Sequence, residues 1–353
     1  MLKGRDCIIN NYEPLSSLGT KALIVTGRNS AQKCGALGDV EEALRRGQTG
    51  YVIFNKIEEN PSVETVLAAA DIGRQQGVDF VIGIGGGSPM DAAKAIALLI
   101  KNPGATAEDI YGGRLPAEWL PVVAVPTTCG TGSEVTGVSV LTRHDKHTKQ
   151  SIPYKIYPDQ AYIDGKYLKT ASMAMIRNTA FDALAHLYEA YLNTKANGDS
   201  NKKVDEGLKT WASCRQALTH TCAADIDDGA LQQLMEAAMQ AGEAIAIAGT
   251  ALPHAMSYPL TYEKGTPHSA AVGQFLAGYL RHAPESDRDY LLTTAGFGDL
   301  ADFEASFDEL VGRVEIPDDL TERIVTSLMS NPDKLSRCPY PVTEEIVRDI
   351  AGC

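Results

Sequence analysis

Short apolar segments alternate with helical patterns along the first half of the chain. The predicted strands cover 22–26, 51–55, 80–84 and 122–125, and the predicted helices between them cover 30–46, 62–76 and 89–100. This alternation predicts a parallel sheet with helices on both faces. Ligands of such sheets bind beyond the carboxyl ends of the strands.

The pattern changes after about residue 164, where β-branched runs give way to Ala, Leu, Met, Glu and Gln. Predicted helices cover 172–195, 202–220, 229–250, 269–282, 302–313 and 317–329, and the tail after about 283 is also helical. At 353 residues the chain is too long for one core. We therefore expect a Rossmann-like α/β domain over 1–165 and an all-α domain over 166–353.

Composition narrows the class of protein without identifying it. The net charge of −13 argues against a nucleic-acid partner, since it repels phosphates. The start lacks the apolar core of a signal peptide, and no apolar run is long enough to span a membrane. Seven scattered cysteines, an odd number, are typical of reduced thiols. We expect a cytoplasmic protein without membrane or nucleic-acid partners.

A glycine run follows the third predicted strand. Gly85, Gly86 and Gly87 allow a ligand to approach the backbone closely, and Ser88 is expected to cap the next helix, with Asp91 three residues later. The amides at such a helix start favour a pyrophosphate. The loop departs from the G-x-G-x-x-G pattern, so taken alone it could equally be a tight turn.

A second loop, residues 125–136, follows the fourth predicted strand and contains many hydroxyls and glycines. Thr127, Thr128 and Ser133 could donate to phosphate or ribose oxygens, or the loop could be a plain polar connection. Two such loops at strand ends of one parallel sheet favour a dinucleotide.

These two loops resemble the motifs of the iron-containing alcohol dehydrogenases, whose relatives include glycerol dehydrogenase and dehydroquinate synthase. The matching stretches are GGGSP-x-D-x-A-K at 85–94 and PTT-x-GTGSEVT at 126–136. The resemblance extends from about residue 23 to 268. It implies an α/β nucleotide-binding domain followed by a helical metal-binding domain. It also implies pyrophosphate binding by the glycine loop, cofactor contacts from Thr127 and Thr128, and a nicotinamide-ribose contact from Lys149.

Four residues of the second half are candidate metal ligands. Asp182 and His186 are four apart in a helical pattern and so share a face. His254 and His268 flank a stretch with two prolines and Gly265, which we expect to break into turns. Any one of these residues alone is more often an ordinary polar residue. As a set, D-A-L-x-H, H-A-M-S-x-P-L and P-H resemble the family's metal site. The ligand types suit Fe(II) or Zn(II), and the resemblance favours Fe(II).

One position departs from the family pattern. Many members carry a second histidine four residues after the first, where this chain has Tyr258. Tyrosine can form hydrogen bonds, but its ordinary pKa near 10 makes it a poorer base at neutral pH. Tyr258 is therefore our candidate for the proton relay, with its role open.

The end of the first strand bears on the choice of nicotinamide cofactor. Gly27 stands where relatives that use NAD tend to carry aspartate, and Arg28, Ser30 and Lys33 could hold a 2′-phosphate. The alternative is a helix start with solvated charges. We expect NADP(H) to be preferred over NAD(H).

The resemblance implies an NAD(P)H alcohol dehydrogenase or aldehyde reductase for short-chain primary alcohols or diols. In this reaction the metal is a Lewis acid for the alkoxide, and hydride passes to nicotinamide C4. A homodimer is implied on the same grounds. The alternatives are a glycerol-type dehydrogenase, a lyase like dehydroquinate synthase, and an inactive nucleotide-binding protein.

Overall fold

The computed structural model describes residues 1–146 and 148–352, which divide into two compact units. Unit 1 consists of Met1–Thr128 and Gly132–Ala171. Unit 2 consists of Cys129–Thr131 and the described residues from Ser172 onward.

Unit 1 is built around a six-stranded parallel sheet in the order β1-β8-β5-β4-β2-β3, with an antiparallel hairpin of β6 and β7. The strands are β1 Leu2–Lys3, β2 Lys21–Thr26, β3 Gly50–Phe54, β4 Phe80–Gly85, β5 Val122–Pro126, β6 Val140–Arg143, β7 Thr148–Ser151 and β8 Gln160–Ile163. Its helices are α1 Cys7–Asn10, α2 Glu13–Ser16, α3 Ser30–Lys33, α4 Ala36–Arg46, α5 Val63–Gln76, α6 Gly87–Lys101 and α7 Ala107–Tyr111, with 3₁₀ turns at His144–Lys146 and Gly165–Leu168. The predicted α/β architecture is confirmed.

Helices cover both faces of this sheet. Leu23 and Val25 of β2 belong to a buried cluster with residues of α5 and α6, whereas Ala22 and Ile24 belong to a second cluster with residues of α1 and α4. A parallel strand buried on both faces is expected to be apolar, as β2 is from Ala22 to Val25.

The glycine loop and the loop at 125–136 follow neighbouring strands, and both begin at the carboxyl ends of those strands. Thr26, the last residue of β2, pairs with Ile84 of β4, and Gly85 pairs with Pro126, the last residue of β5. The segments that begin at Gly27, Gly86 and Thr127 therefore start side by side at the carboxyl ends.

Unit 2 is helical, and no strand lies in its described residues. Its helices are α8 Met173–Leu192, α9 Gly198–Cys214, α10 Asp228–Ala248, α11 Leu252–Lys264, α12 His268–Gln274, α13 Leu276–Arg281, α14 Glu285–Thr294, α15 Leu300–Leu310, α16 Asp318–Met329, α17 Pro332–Leu335 and α18 Glu344–Ala351, with 3₁₀ turns at Arg215–Thr219 and Ala223–Asp225. α8 is buried along most of its length. Its Phe181 packs edge-on against Trp211 and Phe307.

Some expectations about helix boundaries were wrong, and the helix expected over 269–282 is two helices, α12 and α13. The helix expected over 30–46 is two helices, because Gly35 takes a left-handed conformation with φ of 87° between them. The stretch between His254 and His268 was expected to consist of turns, but α11 continues through Pro259. Met256 and Leu260, buried on either side of that proline, favour the helix. Gly265, with φ of 66°, then ends it.

Within the described part of the chain, the helices are all too short or too polar to cross a bilayer.

Candidate metal centre and nucleotide-binding loops

At the end of β4 the backbone of the glycine loop lies close to the loop at 125–136. Gly85 has φ of 151°, and a Cβ there would lie 2.6 Å from Pro89 Cγ, so a side chain is excluded. A Cβ on Gly86 would lie 3.2 Å from the Thr128 hydroxyl oxygen. The Thr127 N–H donates to the Gly85 carbonyl over 2.8 Å. The two predicted cofactor loops are thus held against each other.

The expectation that Ser88 caps α6 was wrong. The helix begins at Gly87 with Gly86 as its cap residue, and no side chain caps it. Because Ser88 already lies in the first turn, its hydroxyl is placed elsewhere and accepts the Asn60 N–H over 3.0 Å. The first-turn amides of α6 have no side-chain cap, as an anion-binding helix start requires.

Asp91 and Ser133 bind each other. The Ser133 hydroxyl donates to the Asp91 carboxylate over 2.6 Å and accepts from the buried Lys94 ammonium over 2.7 Å. Asp91 also accepts the Val140 N–H, and Lys94 donates to the Val138 carbonyl. Burial lowers the pKa of Lys94, and Asp91 partly offsets that effect. This network fastens the second loop to α6.

Two threonine hydroxyls at this edge are buried without hydrogen-bond partners among the described residues: those of Thr128 and Thr26. Such an atom costs about 1–3 kcal/mol unless a partner satisfies it. A ligand oxygen seated on the glycine loop could be that partner for Thr128, so these residues fit a bound dinucleotide.

The other predicted cofactor residues lie on two further segments. Gly27, Arg28 and Ser30 follow the end of β2, with both Arg28 and Ser30 exposed and Ser30 opening α3. Lys149 lies on the hairpin strand β7, and its ammonium donates to the Asn60 side chain over 2.7 Å.

The metal candidates come from three helices of unit 2. α8 supplies Asp182 and His186 from one face, His254 lies in the first turn of α11, and His268 is the first residue of α12. Ligand atoms of Asp182, His254 and His268 all lie within 4.8 Å of one another. The His186 ring is outside that group of three but stacks on the His254 ring at 4.4 Å between centroids.

Two atoms at the centre of this cluster have no hydrogen-bond partner among the described residues. They are Asp182 Oδ1 and His254 Nε2, which are both buried and lie 3.5 Å apart. An acceptor and an imidazole nitrogen that face each other in a buried site without a hydrogen bond are costly unless something bridges them. A divalent cation fits this donor set of carboxylate and imidazole.

Each imidazole has its Nδ1 against a protein group. His186 Nδ1 lies 3.2 Å from the Gly130 carbonyl, His254 Nδ1 contacts the Glu189 carboxylate, and His268 Nδ1 lies 3.3 Å from the Ser257 hydroxyl. Such contacts fix ring orientation and leave Nε2 as the ligand atom, as is usual at metal sites.

Burial and charge set the protonation of the cluster. Burial lowers the pKa of His186 to about 4, with a contribution from His254. Burial alone raises the pKa of Asp182, but the imidazoles, His186 foremost, hold it well below its usual range. For His254 burial lowers the pKa, and Glu189 and Asp182 outweigh it and raise the pKa to about 9. An ionised carboxylate and a neutral His186 are the forms that bind metals, whereas His254 must lose a proton to become a ligand.

Tyr258 lies one turn after His254 on α11. Its half-buried ring stacks on the His268 ring at 5.9 Å between centroids. The tyrosine is therefore beside the cluster, next to a candidate ligand.

Sequence reasoning missed Glu189 and Ser257, which hold two of the imidazoles. Glu189 was detectable in principle, because Asp182, His186 and Glu189 fall at i, i+4 and i+7 of one helix face. A lone glutamate in a helix is ordinarily a solvated residue, so the signal was weak.

Comparisons with known proteins identify the family of this chain. Residues 1–165 match the family profile "Iron-containing alcohol dehydrogenase", and 176–326 match "Fe-containing alcohol dehydrogenase family, C-terminal". Long-chain-alcohol dehydrogenase 1 of Geobacillus thermodenitrificans is 28% identical, over 94% of this chain and 89% of that protein. The NADPH-dependent butanol dehydrogenase of Clostridium saccharobutylicum is 35% identical, over 52% of this chain and 49% of that protein.

A solved structure gives the same result at the level of the fold. An iron-containing alcohol dehydrogenase from Thermotoga maritima superimposes with a TM-score of 0.90 at 34% identity, covering 99% of this chain and 95% of that one. The chain belongs to the iron-containing alcohol dehydrogenase family. It is a metal-dependent oxidoreductase that interconverts alcohols and aldehydes with a nicotinamide cofactor.

Proposed function

We propose that this enzyme interconverts short-chain primary alcohols or diols and their aldehydes, using Fe(II) and preferring NADP(H). The observation that carries the proposal is a buried pair of facing atoms without hydrogen bonds, Asp182 Oδ1 and His254 Nε2, beside two further imidazoles. Asp182, His186, His254 and His268 are the proposed ligands. Three nitrogens and one oxygen also suit Zn(II), and family membership favours iron.

The protein groups have separate roles in the proposed reaction. A cation at this site supplies Lewis acidity to the alcohol or aldehyde oxygen, and the nicotinamide carries the hydride. Asp182 offsets the cation's charge, and the groups against the Nδ1 atoms hold the imidazoles in place. Tyr258, next to His268, is the nearby hydroxyl that we propose as part of the proton path.

The proposed cofactor site uses the edge of the sheet described above. We assign the pyrophosphate to the amides of Gly86, Gly87 and Ser88 and to the hydroxyl of Thr128, with Thr127 beside them. Asp91 and Ser133 support the loops through their mutual hydrogen bond. Lys149, held by Asn60, remains the proposed neighbour of the nicotinamide ribose.

The preference for NADP(H) is supported by the exposed segment after β2. Gly27 offers no carboxylate to repel a 2′-phosphate, and exposed Arg28 can reach one. We expect a higher kcat/KM for NADPH than for NADH, and we expect Arg28→Ala to reduce the NADPH value selectively. Arg46→Ala, at the exposed end of α4 just before β3, is the matched control. A strong preference of the wild type for NADH contradicts the proposed preference for NADP(H).

Substrate and metal can be tested together. Protein purified without oxygen is analysed for bound metal and then assayed with NADPH and aldehydes from two to twelve carbons. We expect bound iron and the highest kcat/KM near four carbons. The long-chain relative makes chain length the informative variable. An optimum at long aldehydes rejects the short-chain assignment, whereas no turnover of any aldehyde rejects the whole proposal.

We also propose a homodimer, supported by the edge strand β3. Tyr51 and Ile53 of this strand are 40% and 38% exposed, and apolar edge strands without charged residues readily pair. Light scattering should give twice the chain mass of 37.8 kDa. Ile53→Lys should shift the protein to monomer, whereas Ile72→Lys, at a similarly exposed position on α5, should not. A wild-type monomer contradicts the proposal.

A further inference from the structure

Glu189 is a fully buried carboxylate that contacts the His254 ring and is not itself a proposed metal ligand. It lies on α8, and its side chain has no exposed surface. A buried carboxylate is costly unless several donors compensate it, so its partners indicate what it does.

The Glu189 carboxylate spans from α8 to the start of α11. Its Oε1 accepts the N–H groups of Ala251 and His254, each over 3.2 Å, and its Oε2 contacts His254 Nδ1. Ala251 is the cap residue of α11 and provides no side-chain cap of its own. Glu189 therefore takes the place of a helix cap and grips the ring of His254 at the same time.

A second layer holds the turn that carries Ala251. The Lys334 ammonium donates to the Thr250 carbonyl over 3.2 Å and to its hydroxyl over 3.1 Å, and the Arg337 guanidinium donates to the same carbonyl over 3.0 Å. Lys334 also places positive charge near the Glu189 carboxylate. Both residues lie beyond 176–326, the stretch that matches the family's C-terminal profile.

We propose that Glu189 is a positioning residue that presents His254 Nε2 to the metal, and that Lys334 and Arg337 brace it through Thr250. The inference rests on the proposed metal site. Because Nδ1 is held by the carboxylate, the ring cannot turn its other edge to the cation. The brace keeps the start of α11, and so His254, at a fixed place relative to α8.

A purely structural role is the alternative, in which Glu189 serves only as a cap for α11. If Glu189 only caps α11, changing it lowers stability but leaves metal affinity unaltered. The metal-binding measurement separates the two roles, because it does not depend on turnover.

The test compares metal affinity with stability in Glu189→Gln. The amide keeps the size and one acceptor oxygen, but it removes the charge that holds His254 Nδ1. We expect the dissociation constant for Co(II) or Zn(II), measured by competition with a chelating dye, to rise about 10–100-fold. The visible spectrum of bound Co(II) should also change, since it reports ligand geometry.

The matched control is Asp164→Asn in unit 1. Asp164 is equally buried and accepts two backbone N–H groups, from Asp6 over 2.7 Å and from Lys166 over 3.0 Å. We expect this variant to lose stability with unchanged metal affinity. Unchanged affinity in Glu189→Gln overturns the inference alone, whereas a wild type that binds no metal overturns the proposed function and this inference with it.

A second variant covers the case in which Glu189→Gln fails to fold. Lys334→Met leaves Glu189 and every proposed ligand in place and removes the Lys334 part of the brace, while Arg337 still donates to the Thr250 carbonyl. We expect a smaller rise in the metal dissociation constant, with the Co(II) spectrum shifted in the same direction. Wild-type affinity and spectrum in this variant reject the role of Lys334 in the brace.

Discussion

Gly130 is constrained in two ways, by a contact of its carbonyl and by the lack of room for a side chain. Its carbonyl lies 3.2 Å from His186 Nδ1, and a Cβ on it would lie 2.6 Å from the Thr179 carbonyl oxygen and 3.0 Å from Thr179 Cα. Both contacts are with α8, one on each side of Asp182. The absence of a side chain thus lets the backbone come close enough to hold the imidazole.

We predict that Gly130→Ala weakens metal binding and lowers stability together. The methyl group cannot fit without moving the backbone, which costs about 1–3 kcal/mol in a packed interior, and the shift takes the carbonyl away from His186. Titration of the metal and a thermal melt check both effects. Gly198→Ala is the control, since a Cβ there meets nothing within 4 Å. Wild-type metal affinity in Gly130→Ala would show that the carbonyl contact is dispensable.

Residues of the site differ in how far the sequence could reveal them. The spacing of four in a helical pattern placed Asp182 and His186 on one face, and the family resemblance then made them candidate ligands. His254 and His268 needed the family resemblance, because residue patterns do not show which distant segments meet. Ser257 and Gly130 act through a hydroxyl and a backbone carbonyl, and nothing in their residue type distinguishes such roles.

At the scale of elements, Asp79 joins the starts of β2 and β4. Its carboxylate accepts the N–H groups of Thr20 and Lys21 over 2.7 and 2.8 Å, and also the Thr20 hydroxyl. Burial raises the pKa of Asp79, but these hydrogen bonds outweigh it and hold the pKa below its ordinary value. The contact lies at the amino ends of these strands, away from the cofactor loops at their carboxyl ends. A change at Asp79 therefore tests stability alone.

We predict that Asp79→Asn costs about 1–2 kcal/mol of unfolding free energy at pH 7. Because the pKa is lower in the folded state, the stabilisation is present above the unfolded pKa of about 4 and disappears as pH falls through the folded pKa. The difference from wild type should therefore shrink below pH 4. Urea unfolding at several pH values measures it, with exposed Asp225→Asn as control. A difference independent of pH would rule out the carboxylate's charge as its source.

The helices and strands were predictable where a segment was long enough to show a hydrophobic period. Four strands and the main helices of both units follow the predicted spans. β1 has two residues and β8 has four, too few for a period to show. α11 was missed because Pro259 was taken as a breaker, although a proline costs one helical hydrogen bond and buried neighbours can outweigh that.

At the scale of the molecule, sequence order and spatial order diverge. The sheet places β8 between β1 and β5, which pairs residues about 160 positions apart in the chain. Local patterns predict that a parallel sheet forms, and they do not give the pairing of the first strand with the last. The domain limits 1–165 and 166–353 stay a prediction.

The metal cluster also joins distant parts of the chain, since its proposed ligands on α8, α11 and α12 run from Asp182 to His268. A ligand that binds only the folded state stabilises it by about 2.7 kcal/mol at 100 times its dissociation constant. For a unit of this size that corresponds to a rise in Tm of roughly 5–11 °C. We predict such a rise when Fe(II) or Zn(II) is added to protein stripped with a chelator.

Calorimetry without oxygen checks this prediction, and Asp182→Asn is the decisive comparison. An amide is a much weaker ligand than a carboxylate and does not offset the cation's charge, so the metal-induced shift should largely vanish in this variant. Glu263→Gln, an exposed change on α11, should keep the full shift. Because unit 2 contains all four proposed ligands, its transition should move while that of unit 1 responds less. An equal shift in Asp182→Asn would place the stabilising cation somewhere other than this cluster.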